Sequence, residues 1–68
     1  MTDPLTERQR QIADLVAAGY PDKVIAARLS ISEETVAYHL QAIKKRLRLD
    51  PSRGLRAQVI EHVTRAAA

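Results

Sequence analysis

The stretch from Ile31 to Leu47 constrains this chain most. Val36, Leu40, Ile43 and Leu47 recur at intervals of four, three and four residues. Only a helical period of 3.6 keeps such positions on one side, so this stripe predicts an amphipathic α-helix. Ser32 stands just ahead of it, where its hydroxyl can accept a backbone N–H of the first turn. Glu33 and Glu34 follow, at the end of a helix that favours negative charge. Ile31 before the cap and Val36 at the fourth helical position suit a hydrophobic staple. The opposite side carries Glu34, Ala37, Tyr38, Gln41, Lys44, Lys45 and Arg48. The helix is expected over about residues 32–48, with Asp50-Pro51 as its breaker, because the residue before proline is pushed out of helical geometry.

Three further helices are read around it. Thr6-x-x-Gln9 has the form of a capping box, and Ile12, Ala13, Leu15 and Val16 continue at helical spacing. Gly19 then offers a left-handed residue that ends a helix at little cost, giving a first helix over about 6–18. Pro21-Asp22 restarts the chain, with Val24, Ile25, Ala26 and Leu29 available to the core of a short helix over 22–29. Ser30-Ile31 is too brief a link for two helices to lie flat against each other and suits a crossed pair. Glycine is common in such a turn; here Ser30 takes its place. A fourth helix is expected over about 55–66, with Val59, Ile60 and Val63 on its apolar side. No alternating run long enough for a strand occurs. The fold class is therefore all-α, four helices in one domain spanning residues 1–68.

A chain of 68 residues sits near the lower limit for unaided folding. It has no cysteine, which excludes disulfides and thiolate metal sites. No apolar run approaches the roughly 18 residues of a membrane span, and the first residues lack the basic start and apolar stretch of a signal peptide. The expectation is a cytoplasmic, nucleoid-associated protein without membrane contact. Net charge is +3, but its distribution matters more: Lys44, Lys45, Arg46, Arg48, Arg53 and Arg56 cluster against the single acid Asp50. Charge alone favours a solvated helix face over a binding surface.

A short helix, a tight turn and a longer helix, steadied by a helix before them, make a trihelical helix-turn-helix. The longer helix of such a unit fits the major groove of double-stranded DNA, and its early residues reach base edges. That task needs small or hydrogen-bonding side chains first and cations for phosphates after them. Ala37, Tyr38 and Gln41 supply the former, and Lys44, Lys45 and Arg48 the latter.

Leu5-Thr6-Glu7-Arg8-Gln9-Arg10-Gln11-Ile12 and Leu15-Val16-Ala17-Ala18-Gly19-Tyr20 resemble the opening of LuxR-type (GerE-like) DNA-binding domains. Lys23-x-Ile25-Ala26-x-x-Leu29-x-Ile31-Ser32-x-x-Thr35-Val36-x-x-His39-Leu40-x-x-Ile43-x-x-x-Leu47 looks like the rest of that signature. The likeness covers residues 5–49 closely and the fourth helix loosely. It implies a four-helix transcription-factor module in which the third helix reads DNA and the fourth makes a homodimer, with Leu55, Val59, Ile60 and Val63 as its seam. By position, Ala37, Tyr38 and Gln41 would face bases; Lys23, Thr35, Lys44 and Lys45 would meet the backbone. Two features depart from the family pattern. Ala37 stands where Lys is common, and Asp50-Pro51-Ser52-Arg53-Gly54 is a longer connection than usual.

Plainer roles stand beside these. His39 flanks the core stripe as a packing residue, His62 is structural, and two isolated histidines form no metal site of recognisable spacing. Thr35 serves equally to close the first helical turn. No glycine-rich phosphate loop, Ser-His-acid set or placed carboxylate pair gives catalysis a foothold, so no enzyme, cofactor or small-molecule substrate is expected. The rival from another class is a helix-turn-helix that docks on RNA polymerase or another regulator with little DNA affinity; Ala37, Glu33 and Glu34 favour it, and Lys44, Lys45 and Arg48 oppose it. A stand-alone regulator and an output domain of a larger one share the same chemistry. The residues before Leu5 offer no sensor of their own.

Overall fold

The computed structural model describes residues 4–67, and they form four helices: α1 (Glu7–Ala17), α2 (Asp22–Leu29), α3 (Glu33–Arg46) and α4 (Leu55–Ala67). The expected all-α class and element order hold. Helix α1 is the hub, packing against each of the other three, while α2 packs on α3 and α4 packs chiefly on α1. The core gathers Leu5, Ile12, Ala13, Val16, Ile25, Ala26, Val36, Leu40, Ile43 and Val59. Val36, Leu40 and Ile43 are all buried, as the α3 stripe predicts, and Leu47 packs against their edge. Leu15, Val24 and Leu29 are only half-buried, because α1 and α2 each turn a narrower face inward than their apolar residues allow.

The starts of the helices follow their local chemistry. In the capping box of α1, the Gln9 N–H donates to Thr6 Oγ1 at 3.2 Å and the Thr6 N–H to Gln9 Oε1 at 3.0 Å. Ser32 Oγ accepts from the Thr35 N–H at 3.0 Å, satisfying one otherwise unpaired donor at the head of α3.

Their ends share a single device. After α1, Tyr20 N–H donates to the Leu15 carbonyl and Gly19 N–H to that of Val16; after α2, Ile31 pairs with Ala26 and Ser30 with Ala27; after α3, Leu49 pairs with Lys44 and Arg48 with Lys45. This is the Schellman closure, in which one left-handed residue turns the chain and frees no carbonyl. The left-handed residues are Gly19, Ser30 and Arg48, with φ of 95°, 56° and 53°. Each is followed by a large residue, Tyr20, Ile31 or Leu49, that packs against the core. Burial of that residue offsets the roughly 1–2 kcal/mol that a non-glycine left-handed conformation costs.

Helix α3 therefore stops at Arg46, with Leu47 as its cap, short of the expected Arg48 and well before Pro51. Proline is not what ends it. The segment from Asp50 to Gly54 is instead an ordered turn. Ser52 donates from both its backbone N–H (2.9 Å) and its hydroxyl (2.8 Å) to Asp50 Oδ1, which holds the Asp50 carboxyl below its ordinary pKa. Buried Gln58 of α4 fastens the turn from inside. Its Oε1 accepts from the Asp50 N–H at 2.7 Å, and its Nε2 donates to the Asp50 carbonyl at 2.8 Å.

Candidate nucleic-acid interface

Ser30 makes the α2–α3 turn possible by adopting the left-handed conformation that glycine would take without strain. The turn presents α3 with its core stripe inward and Glu34, Ala37, Tyr38, Gln41 and Lys45 exposed; Lys44 is half-buried at the margin. Among the described residues, Tyr38 is the most exposed large side chain with apolar character, at 71%. Its ring meets the His39 ring edge-on, with centroids 5.6 Å apart, and His39 itself is half-buried beside the core. The Thr35 hydroxyl lies 2.8 Å from Ser32 Oγ, so this side chain helps close the first turn of α3. Lys23 is exposed on α2, near its start.

The basic cluster separates into two groups with different occupations. Arg46 Nε donates to the Pro4 carbonyl at 2.6 Å. Arg53 pairs with Glu61 at 2.7 Å, and Arg56 with Asp22 at 2.5 Å and the Tyr20 carbonyl at 3.0 Å. On α2, the Arg28 guanidinium lies 4.3 Å from the centroid of the Tyr20 ring and donates to its hydroxyl. Among the described residues, Lys23, Lys44, Lys45 and Arg48 make no hydrogen bond or ion pair through their side chains. Arg8 on α1 and Arg65 on α4 are likewise exposed and unengaged, so the free cations include those expected at a phosphate backbone but are not confined to them. Lys44, Lys45 and Arg48 sit on or just beyond α3, together with Ala37, Tyr38 and Gln41.

The expected seam of α4 does not survive intact. Val59 is fully buried in the chain's own core, so it faces α1 and is unavailable to a second protomer. Leu55 and Val63 also pack against that core and are half-buried. Only Ile60, at 40% exposure, points outward, in line with exposed Ala57 and Thr64. The physical reason is register: Leu55, Val59 and Val63, spaced by four, form the stripe against α1, and Ile60 falls outside it.

Sequence reasoning also missed Arg56 and Gln58, which it counted as a surface cation and passed over, respectively. No local pattern marks either one, because their partners lie at Tyr20 and Asp22 or in an irregular turn. Among the described residues no group of three His, Cys, Asp or Glu side chains is placed to hold a metal ion. Nor, among those residues, is any helix long and apolar enough to cross a membrane.

A short helix and a longer one, joined by a left-handed turn and braced by α1, with a free basic face on the longer helix, define a helix-turn-helix DNA-binding domain. The family model of bacterial regulatory proteins of the luxR family (GerE) matches residues 3–55, and the chain belongs to that family. Over 61 residues the chain is 38% identical to the transcriptional regulatory protein MctR of Rhizobium johnstonii, covering 90% of this chain and 28% of that protein. Over 45 residues it is 47% identical to the nitrate/nitrite response regulator NarL of Escherichia coli, covering 66% and 21%. The transcriptional regulatory protein UhpA of Escherichia coli is 44% identical over 45 residues, covering 66% and 23%. The chain thus spans about a quarter of the length of these relatives. No solved structure matches it significantly. The family is one of transcription regulators and not of enzymes.

Proposed function

We propose that this domain binds specific sequences of double-stranded DNA to regulate transcription, with α3 lying in the major groove. Ala37, Tyr38 and Gln41 then face base edges, and Lys23, Lys44, Lys45 and Arg48 meet phosphates on either side. Thr35, engaged by Ser32, stiffens the leading turn and can offer its hydroxyl to the backbone as well. The observation that carries this reading is the partition of cations: Lys44, Lys45 and Arg48 at the third helix are free, while Arg46 on the same helix, and Arg53 and Arg56 beyond it, are engaged within the fold. Unpaired cations beside Tyr38 and Gln41 suit a polyanion with readable edges better than a protein partner, and the acids Glu33 and Glu34 lie in the first turn of α3, away from Lys44, Lys45 and Arg48.

Two protomers are proposed to meet through the outward side of α4, centred on Ile60 and flanked by Ala57 and Thr64. Leu55 and Val63 would contribute only their exposed margins. A two-fold dimer of this kind calls for two related half-sites on the DNA. In its full biological setting the domain would act in the bacterial cytoplasm on the nucleoid.

The test is the salt dependence of duplex binding. Each phosphate neutralised contributes about 0.9 to the slope of log affinity against log salt. Lys44→Ala with Lys45→Ala should therefore lower that slope by about two per protomer and weaken binding to all sequences alike. A double variant with unchanged slope and affinity would contradict the assignment. Duplex binding absent from the wild type altogether would favour docking of α3 on polymerase or another regulator.

A further inference from the structure

The third helix carries its Lys and Arg late and none early, and this order bears on which bases it accepts. Ahead of Lys44, the exposed side chains of α3 are Glu33, Glu34, Ala37, Tyr38 and Gln41. Guanine is read in the major groove chiefly by Arg or Lys, which donate together to its O6 and N7. None of these five residues can do that. Glu33 and Glu34 only accept hydrogen bonds, Ala37 presents a methyl group, and Tyr38 has one hydroxyl. Gln41 has the paired donor and acceptor of an amide, which match N7 and the amino group of adenine. The Ala37 methyl suits the C5 methyl of thymine, an apolar contact only that base offers in this groove. Lys44 is half-buried, and Lys45 lies about 6 Å beyond Gln41 along the axis, in the turn that leads out toward Arg48 and the helix end.

Ala37 and Gln41 also stand one turn apart, roughly 6 Å along the helix. Base pairs are stacked about 3.4 Å apart, so a helix lying obliquely in the groove sets these two side chains over neighbouring pairs. We propose that the core of each half-site is a step of two neighbouring A·T pairs, with a thymine methyl against Ala37 and an adenine under Gln41. This rests on the groove reading above and specifies what it reads. Tyr38, with its ring steadied against His39, would cover the same step from its flank, its hydroxyl free to donate or accept.

Selection from a randomised duplex library, using the intact chain as wild type, Gln41→Arg and Ala37→Gly, separates the possibilities. Both positions are exposed, so the variants are expected to keep the wild-type circular dichroism spectrum. Wild type should enrich two neighbouring A·T pairs, and exchanging either for G·C should weaken binding roughly tenfold. Gln41→Arg should convert the adenine position to guanine. Deoxyuridine in place of the thymine should weaken wild type several-fold and leave Ala37→Gly nearly unaffected. If wild type selects G·C at the position that Gln41→Arg alters, the A·T proposal is overturned while the groove reading stands. If wild type selects a sequence that neither substitution changes, the groove reading fails and takes this proposal with it.

Discussion

The Arg56 guanidinium crosses from α4 to the head of α2, where it meets the Asp22 carboxylate at 2.5 Å and the Tyr20 carbonyl at 3.0 Å. One side chain thereby ties the last helix to the corner from which the helix-turn-helix departs. The pair is partly open to solvent, with side-chain exposures of 42% and 39%, so screening limits its contribution. Arg56→Met should cost about 1 kcal/mol or less, a loss of several degrees in melting temperature for a domain this small. The deficit should shrink in concentrated salt. Thermal melts followed by circular dichroism would measure it, and an unchanged midpoint at low salt would contradict the structural role.

Ser30 and Gly19 both sit in the left-handed region, but only Gly19 does so without cost. Ser30→Gly should raise stability by up to about 1 kcal/mol, since relief of the left-handed strain exceeds the added freedom of the unfolded chain. Gly19→Ala should lower it by about 1 kcal/mol through backbone strain alone, because a Cβ there meets nothing within 4 Å. Chemical denaturation of the two variants would report opposite signs. Loss of stability in Ser30→Gly would mean that the turn is not held in this conformation.

How much of this was legible in advance depends on whether the controlling interaction is local. The capping box at Thr6, the stripe from Val36 to Ile43 and the break at Gly19 are written within a turn or two of sequence, and the structure holds all three. The end of α3 was not legible. Pro51 is the conspicuous breaker, yet Arg48 adopts a left-handed conformation because burying Leu49 outweighs the strain. The facing of α4 was ambiguous for a similar reason. Leu55, Val59, Ile60 and Val63 form no unique stripe by themselves, and packing on α1 chose among them. The basic cluster read as one feature from Lys44 to Arg56, whereas folding engages Arg46, Arg53 and Arg56 with partners up to 42 residues away.

Val59 and Ile60 are neighbours in sequence with opposite surroundings, which separates core from seam. Val59→Ala should cost about 2 kcal/mol by opening a cavity between α4 and α1, and Val59→Asp should not fold. Ile60→Asp should fold with a melting temperature close to wild type but lose cooperative filling of paired half-sites, since only the proposed seam is altered. Melting curves and binding to duplexes with one or two half-sites would distinguish these outcomes. An Ile60→Asp protein that fills both half-sites as cooperatively as wild type would contradict dimerisation through α4.

The placement of α3 in the major groove is tested most directly by magnetic resonance of the domain bound to a selected duplex. Contacts from protons of Ala37, Tyr38 and Gln41 to major-groove base protons, thymine methyls included, should appear together with large amide shifts along the outward face of α3. Lys23, Lys44, Lys45 and Arg48 should respond at their side chains, and the α1–α4 contact around Val59 should stay unperturbed. If instead the duplex perturbs the outer faces of α1 or α4 and leaves Ala37, Tyr38 and Gln41 at their free positions, α3 is not the reading helix.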